Sequence, residues 1–285
     1  MSKSGSGWIN GLLGVIIFSG SLPATRLAVA DLTPLFVTGG RAVIAAMLGA
    51  VFLVALRQAK PTRRDILPLG IVAIGVVIGF PLLTGLALRH VTAAHSVVFI
   101  GLLPLSTAAF AVLRGGEQPR PAFWAFSGTG AATVAGFALG QGGGSLMGDL
   151  LMIGAILLCG LGYAEGATLS RRLGGWQVIS WALLLALPIM AMIAVATMPM
   201  DVTAVGWRAW AGFAYVSAFS MMLGFVFWYR GLALGGIAGV GQLQLLQPFL
   251  GLLLASLVLG EPVAWTMIAS TMIVILCVVG AKRFA

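Results

Sequence analysis

The chain has 285 residues, 60% of them hydrophobic and only 8% charged. A soluble domain carries about 25% charged residues, so this chain cannot cover a water-facing surface; the composition points to an all-α polytopic membrane protein. The net charge of +9 comes from 16 cations that stand singly or in short clusters between apolar runs. That is the pattern of topology determinants rather than of a nucleic-acid-binding face.

A membrane-spanning helix needs about 20 predominantly apolar residues. Ten such runs occur, at roughly 8–28, 34–56, 66–88, 91–113, 121–140, 147–169, 176–198, 207–229, 235–259 and 262–281. They leave no room for a soluble domain, so any function lives among the helices. The first holds Pro23, and it ends in Ala28-Val29-Ala30, which imitates a leader cleavage site. Its length and the interruption by Pro23 and Arg26 favour a retained span. The second carries Arg41 and the third Phe80 and Pro81.

The fourth carries His95 and, four residues on and hence on the same helical face, Phe99; Pro104 sits at its centre and Glu117 follows its end. His95 reads either as a packed histidine or as a partner for a substrate carboxylate. Glu117 suits a helix N-terminus, where a carboxylate caps free N–H groups. After the fifth span, Gln141-Gly142-Gly143-Gly144-Ser145 forms a glycine-rich linker without cations.

The sixth span contains Tyr163 and Glu165, the only acid well inside a predicted span. An intramembrane acid is a functional candidate: it would bind a substrate ammonium or carry a coupling proton, unless it pairs with Arg171, six residues on. Pro188 lies in the seventh span. The eighth ends in Trp228 and Tyr229, read either as an interfacial anchor or as site residues, with Met221, Met222 and Phe225 as an adaptable apolar wall beside Phe80. The ninth carries Gln242, Gln244 and Gln247 just before Pro248. Three amides in one apolar helix need partners: another helix or a zwitterionic substrate. Trp8, Trp124, Trp176, Trp207, Trp210 and Trp265 lie near predicted helix ends, where indole rings anchor at the headgroups.

Pro104 and Pro248 lie 144 residues apart, as do Glu117 and Glu261. Ala94/Ala238, Leu102/Leu246, Ala111/Ala255, Leu113/Leu257 and Gly116/Gly260 match at the same offset. Five spans per repeat is odd, so the second copy enters the membrane from the opposite side. The expected architecture is ten transmembrane helices in two inverted five-helix repeats, 1–140 and 146–285, joined by the linker 141–145 on the periplasmic side. Placing the termini and even-numbered loops together collects twelve of the 16 cations on one side. Both termini are therefore expected in the cytoplasm. Pro23, Pro104 and Pro248 are candidate hinges, because each removes a backbone hydrogen bond.

The segments Ala94–Glu117 and Ala238–Glu261 resemble the most recognisable stretch of EamA-type proteins in the drug/metabolite transporter superfamily. Phe18-Ser19-Gly20-Ser21 with Thr25-Arg26-Leu27-Ala28, Arg41, and Ser170-Arg171-Arg172-Leu173 are similar to that family's first, second and sixth spans. Within it the chain looks like the YddG-type aromatic amino acid exporters. A bulky aromatic usually precedes the Gly-Ser of the first span; here Phe18-Ser19 stands instead. The resemblance implies a ten-span secondary exporter of the bacterial inner membrane, moving amino acids by alternating access, with open proton coupling and no cofactor. Its partners would be a small-molecule substrate and membrane lipid, and it would act as a monomer or weak homodimer.

The substrate-binding residues expected are Phe80, His95, Phe99, Tyr163, Glu165, Trp228, Gln242, Gln244 and Gln247. The alternatives are a drug or nucleotide-sugar transporter on the same fold, an intramembrane enzyme, or a structural subunit. Few interior cations speak against phosphate. No G-K-[ST] or HExxH motif occurs, which excludes a P-loop and that zinc site. Cys159 and Cys277 have no metal spacing.

Overall fold

The computed structural model describes residues 3–87, 90, 91, 99–139, 145–259 and 265–285. Ten helical stretches follow one another among them. α1 covers 3–28 as Lys3–Ser19 and Ser21–Ala28, broken at Gly20. α2 is Pro34–Ala55, α3 Arg63–Ala87, α4 Leu103–Gly115 and α5 Pro121–Leu139. α6 is Leu146–Leu173, α7 Gly175–Ala196 and α8 Trp207–Gly235. α9 covers 237–259 and α10 is Trp265–Phe284.

The starts have local causes. The Thr33 hydroxyl accepts the Phe36 N–H at 3.2 Å, with Pro34 at the first helical position of α2, which suits its fixed φ. Ser145 accepts the Gly148 N–H at the head of α6, and Asp65 accepts the Thr62 N–H at 2.9 Å at the head of α3. Gly174 and Gly236, at φ 93° and 92°, end α6 and α8 in conformations that side chains rarely adopt. Each lets the next helix begin at once.

Among the described residues six helices are long and apolar enough to cross a membrane: Gly5–Thr25, α2, α3, α6, α7 and α8. Their outward sides carry residues such as Val54 and Val195, more than three-quarters exposed, as lipid contact requires. The protein is an integral membrane protein. Most sequence-predicted ends agree with the helices to within a few residues, but α1 begins five residues earlier, α6 runs on by about one turn and α8 by nearly two. The expected fourth span, 91–113, lies partly outside the described residues, and so do most of the linker and Glu261.

The helices pack in reciprocal pairs: α2 with α7, α1 with α8, α3 with α6, α4 with α9, and α5 with α10. Small residues set the closest approach, as in other membrane bundles. A Cβ on Gly231 of α8 would lie 2.5 Å from the Gly11 backbone nitrogen of α1. Two π-helical stretches interrupt α3 and α8, at Ala73–Gly79 and Tyr215–Gly224. These ranges overlap when shifted by the repeat offset of 144.

Gly7 of α1 meets Gly235 of α8, and the Arg120 N–H donates to the Phe284 carbonyl at 2.9 Å. These contacts define one end of the bundle, the N-terminal face. At the opposite face Asp31 accepts the Gly206 N–H at 2.8 Å.

Candidate functional site

The prolines shape the interior differently from simple mid-helix kinks. Pro104 is the second residue of α4, after a turn at Gly101–Leu102. Pro248 is the second residue of the α-helical part of α9, after the 3₁₀ stretch Gln242–Leu246. Both prolines thus begin an α-helix at an irregular junction, where a missing N–H costs nothing. Pro23 is buried just past the break at Gly20. There the Tyr215 hydroxyl donates to the Ile17 carbonyl at 3.0 Å, and Ser21 meets Ser220 at 2.7 Å.

An aromatic cluster fills the centre. Tyr163 of α6 lies 5.5 Å from Trp228 and 6.1 Å from Phe225, centroid to centroid. Phe18 of α1 lies 5.1 Å from Phe225 and 6.3 Å from Trp228. Tyr229 donates to the Gly162 carbonyl at 3.3 Å. Trp228 is fully buried, so of its two readings the interfacial anchor is excluded. Trp207 and Trp265, both about three-quarters exposed or more, suit the headgroup level. The Lys282 ammonium sits 4.5 Å over the Trp8 ring.

The interior also holds buried polar groups without partners. Gln242 and Gln244 are fully buried. Among the described residues neither amide, nor the Trp228 indole N–H, has a hydrogen-bond partner. The Tyr163 hydroxyl lies beside the Gln244 amide without reaching hydrogen-bond geometry. Thr107 of α4, its hydroxyl also unpartnered, adjoins Gly241. Gln247 is only half-buried, so the three amides divide: two belong to the centre and one to its edge. Phe99 is buried and Phe80 half-buried, both in the main core. His95 lies outside the described residues.

Glu165 is buried but not solitary. Arg114 of α4 donates to it and forms an ion pair. Arg171, six residues on in sequence, pairs instead with Glu117 at 3.0 Å. Glu117 also accepts the Ile237 and Ala238 N–H groups at 2.7 and 2.8 Å. The expected capping carboxylate is therefore real, but it caps α9 rather than a neighbour in sequence. Arg172 pairs with Asp65 at 2.6 Å. Each of these ion pairs joins a residue before 140 to one after 145, and each lies at the N-terminal face.

Sequence reasoning missed Thr107, Arg114 and Asp65. Leu105-Ser106-Thr107, two hydroxyls in an apolar helix, was the available signal for the first. No cluster of three metal-ligating side chains occurs among the described residues.

A lipid-exposed helical bundle with an underbonded polar and aromatic centre defines a polytopic membrane protein with its candidate site among the helices. The chain belongs to the EamA-like transporter family, which it matches over residues 5–139 and 146–281. It is thus a membrane transporter acting on a small molecule, and not an enzyme. It is 63% identical, over the whole of both chains, to the "Uncharacterized transporter YdeK" of Bacillus subtilis (strain 168). A solved crystal structure superposes over the whole of both chains with a TM-score of 0.84 at 18% identity, a likeness of fold.

Proposed function

We propose that the protein is a secondary exporter of amino acids, aromatic or otherwise neutral, working by alternating access between inverted halves 1–140 and 146–285 about the linker 141–145. One observation carries this reading: Gln244 and Trp228 keep buried polar atoms unpartnered beside the Tyr163 ring, which packs in turn on Phe225, and Gln242, two residues before Gln244, is buried and unpartnered as well. Each such group costs about 1–3 kcal/mol. A transient ligand with complementary donors and acceptors would explain why they are retained. Aromatic walls suit an apolar or aromatic side chain, and neutral amides suit the polar end of a zwitterion.

The reciprocal packing of α1–α8 with α3–α6, and the paired π stretches, support a two-fold relation between the halves. With both termini in the cytoplasm of a bacterial inner membrane, as the cation distribution implies, the ion pairs of Glu165, Glu117 and Asp65 close the cytoplasmic entrance. Opening it requires those pairs to part while the opposite face closes. Glu165, released from Arg114, would then be free to meet the ammonium of the solute. The likeness to YddG-type exporters supplies the direction.

Counterflow in proteoliposomes, with a panel of labelled aromatic and small neutral amino acids, tests the proposal. Exchange specific to one class is expected. No exchange of any amino acid by folded protein would refute it and turn attention to drugs or nucleotide sugars.

A further inference from the structure

Arg41 lies seven residues inside α2, roughly 10 Å from its Pro34 end. Val37 and Ala45, one turn to either side, are buried. Met47, Val51 and Val54, each more than 60% exposed, mark a different side of the helix as the lipid face. The Arg41 Nε is buried and, among the described residues, has no hydrogen-bond partner.

The acids that would neutralise it are engaged elsewhere. Asp31 accepts from the Gly206 N–H, and Asp65 and Glu117 pair with Arg172 and Arg171. Glu165 pairs with Arg114, Asp201 accepts from Thr203, and Asp149 has an interaction of its own. Glu261 lies outside the described residues. A guanidinium is always charged and matches a carboxylate in two-pronged geometry. A cation left without a countercharge inside a span marks a ligand path.

Its place fits such a path. α2 packs against the stretch Tyr215–Gly224 that leads directly into Phe225, and α1, which carries Phe18, packs against the same stretch. Gln242 and Gln244 lie five to seven residues from the N-terminal end of α9, whereas Arg41 is nearer the opposite face. Helix rise separates the two levels by on the order of 10 Å along the bundle.

We propose that Arg41 is an anion-receiving station: it takes the carboxylate of the solute as it passes between the buried centre and the face opposite the N-terminus. This rests on reading that centre as a substrate site, and it adds that the substrate must carry a carboxylate.

The test uses purified wild type, Arg41→Lys and Arg41→Gln, with phenylalanine, phenylacetate and phenethylamine as probes of thermal stability and of transport in liposomes. Wild type should respond to both carboxylates and not to the amine. Arg41→Gln should lose tenfold or more in affinity for both, and Arg41→Lys should keep part of it. Equal binding of both carboxylates by wild type and Arg41→Gln would overturn the assignment, as would a wild type that responds only to the amine or to no probe. An Arg41-dependent response to phenylacetate without phenylalanine binding or transport would sink the amino acid reading and leave the carboxylate station standing. Repeating the series with neutral lipid and with phosphatidylglycerol separates the lipid phosphate. If Arg41→Gln abolishes only the stabilisation by anionic lipid, the residue is a headgroup anchor and the proposal fails.

Discussion

Gln244 places function and stability in opposition at a single residue. Its amide is fully buried with no partner among the described residues. A purely structural glutamine there would be a poor choice, since leucine fills similar space without an unmet polar group. Gln244→Leu should therefore leave thermal stability in detergent unchanged or raise it by a few degrees, at roughly 2–4 °C per kcal/mol, while transport falls at least tenfold. A marked loss of stability would show that the amide holds the fold. Trp228→Phe should behave alike with a smaller transport loss, because the ring contacts with Tyr163 and Phe18 survive. Three glutamines close together were legible as a candidate site. That two are central and the third peripheral was not, because 3₁₀ winding at Gln242–Leu246 changes which side chains point inward.

Helices in this bundle are positioned by caps and glycines more than by surface charge. Glu117 holds two backbone N–H groups of α9 and the guanidinium of Arg171. Glu117→Ala should cost about 1–2 kcal/mol of stability, read by thermal unfolding. Arg171→Ala should cost less, since its ion pair is part-exposed and such pairs contribute about 0–1 kcal/mol. The reverse order would mean that the charge, not the cap, fastens α9. Between α1 and α8 the constraint is steric. Gly231→Ala would push a methyl to 2.5 Å from the Gly11 nitrogen, and overpacking of this kind costs about 1–3 kcal/mol. Gly70→Ala in α3 meets nothing within 4 Å and should be neutral or stabilising by up to ~1 kcal/mol. Equal tolerance at both positions would contradict the close packing of α1 on α8.

At the scale of the whole molecule, the ion pairs at the N-terminal face join one half of the chain to the other. Cys159, buried one turn from Tyr163, reports on that closure. In a Cys277→Ser background, an impermeant maleimide should label Cys159 poorly in the wild type. With Asp65→Asn and Glu117→Gln combined, labelling from the N-terminal face should rise several-fold. Unchanged labelling in folded protein would mean that these pairs do not hold that face shut. The three pairs belong together because each spans the boundary near 140–145, so separating the halves breaks them at once.

Composition by itself determined that this chain enters a membrane, because so few charges cannot solvate a surface. Hydropathy placed the helices, because each must satisfy its backbone within itself in lipid. The 144-residue recurrence of proline and glutamate, with the family resemblance, pointed to a repeated transporter fold. Partner choice was decided only in three dimensions. Glu165 takes Arg114 rather than Arg171, and Glu117 reaches Ile237, 120 residues away in sequence. Arg41 is left without a carboxylate among the described residues. Such pairings depend on which helices meet and at what depth. Hydrophobic periodicity does not encode that, because lipid and protein interior are almost equally apolar.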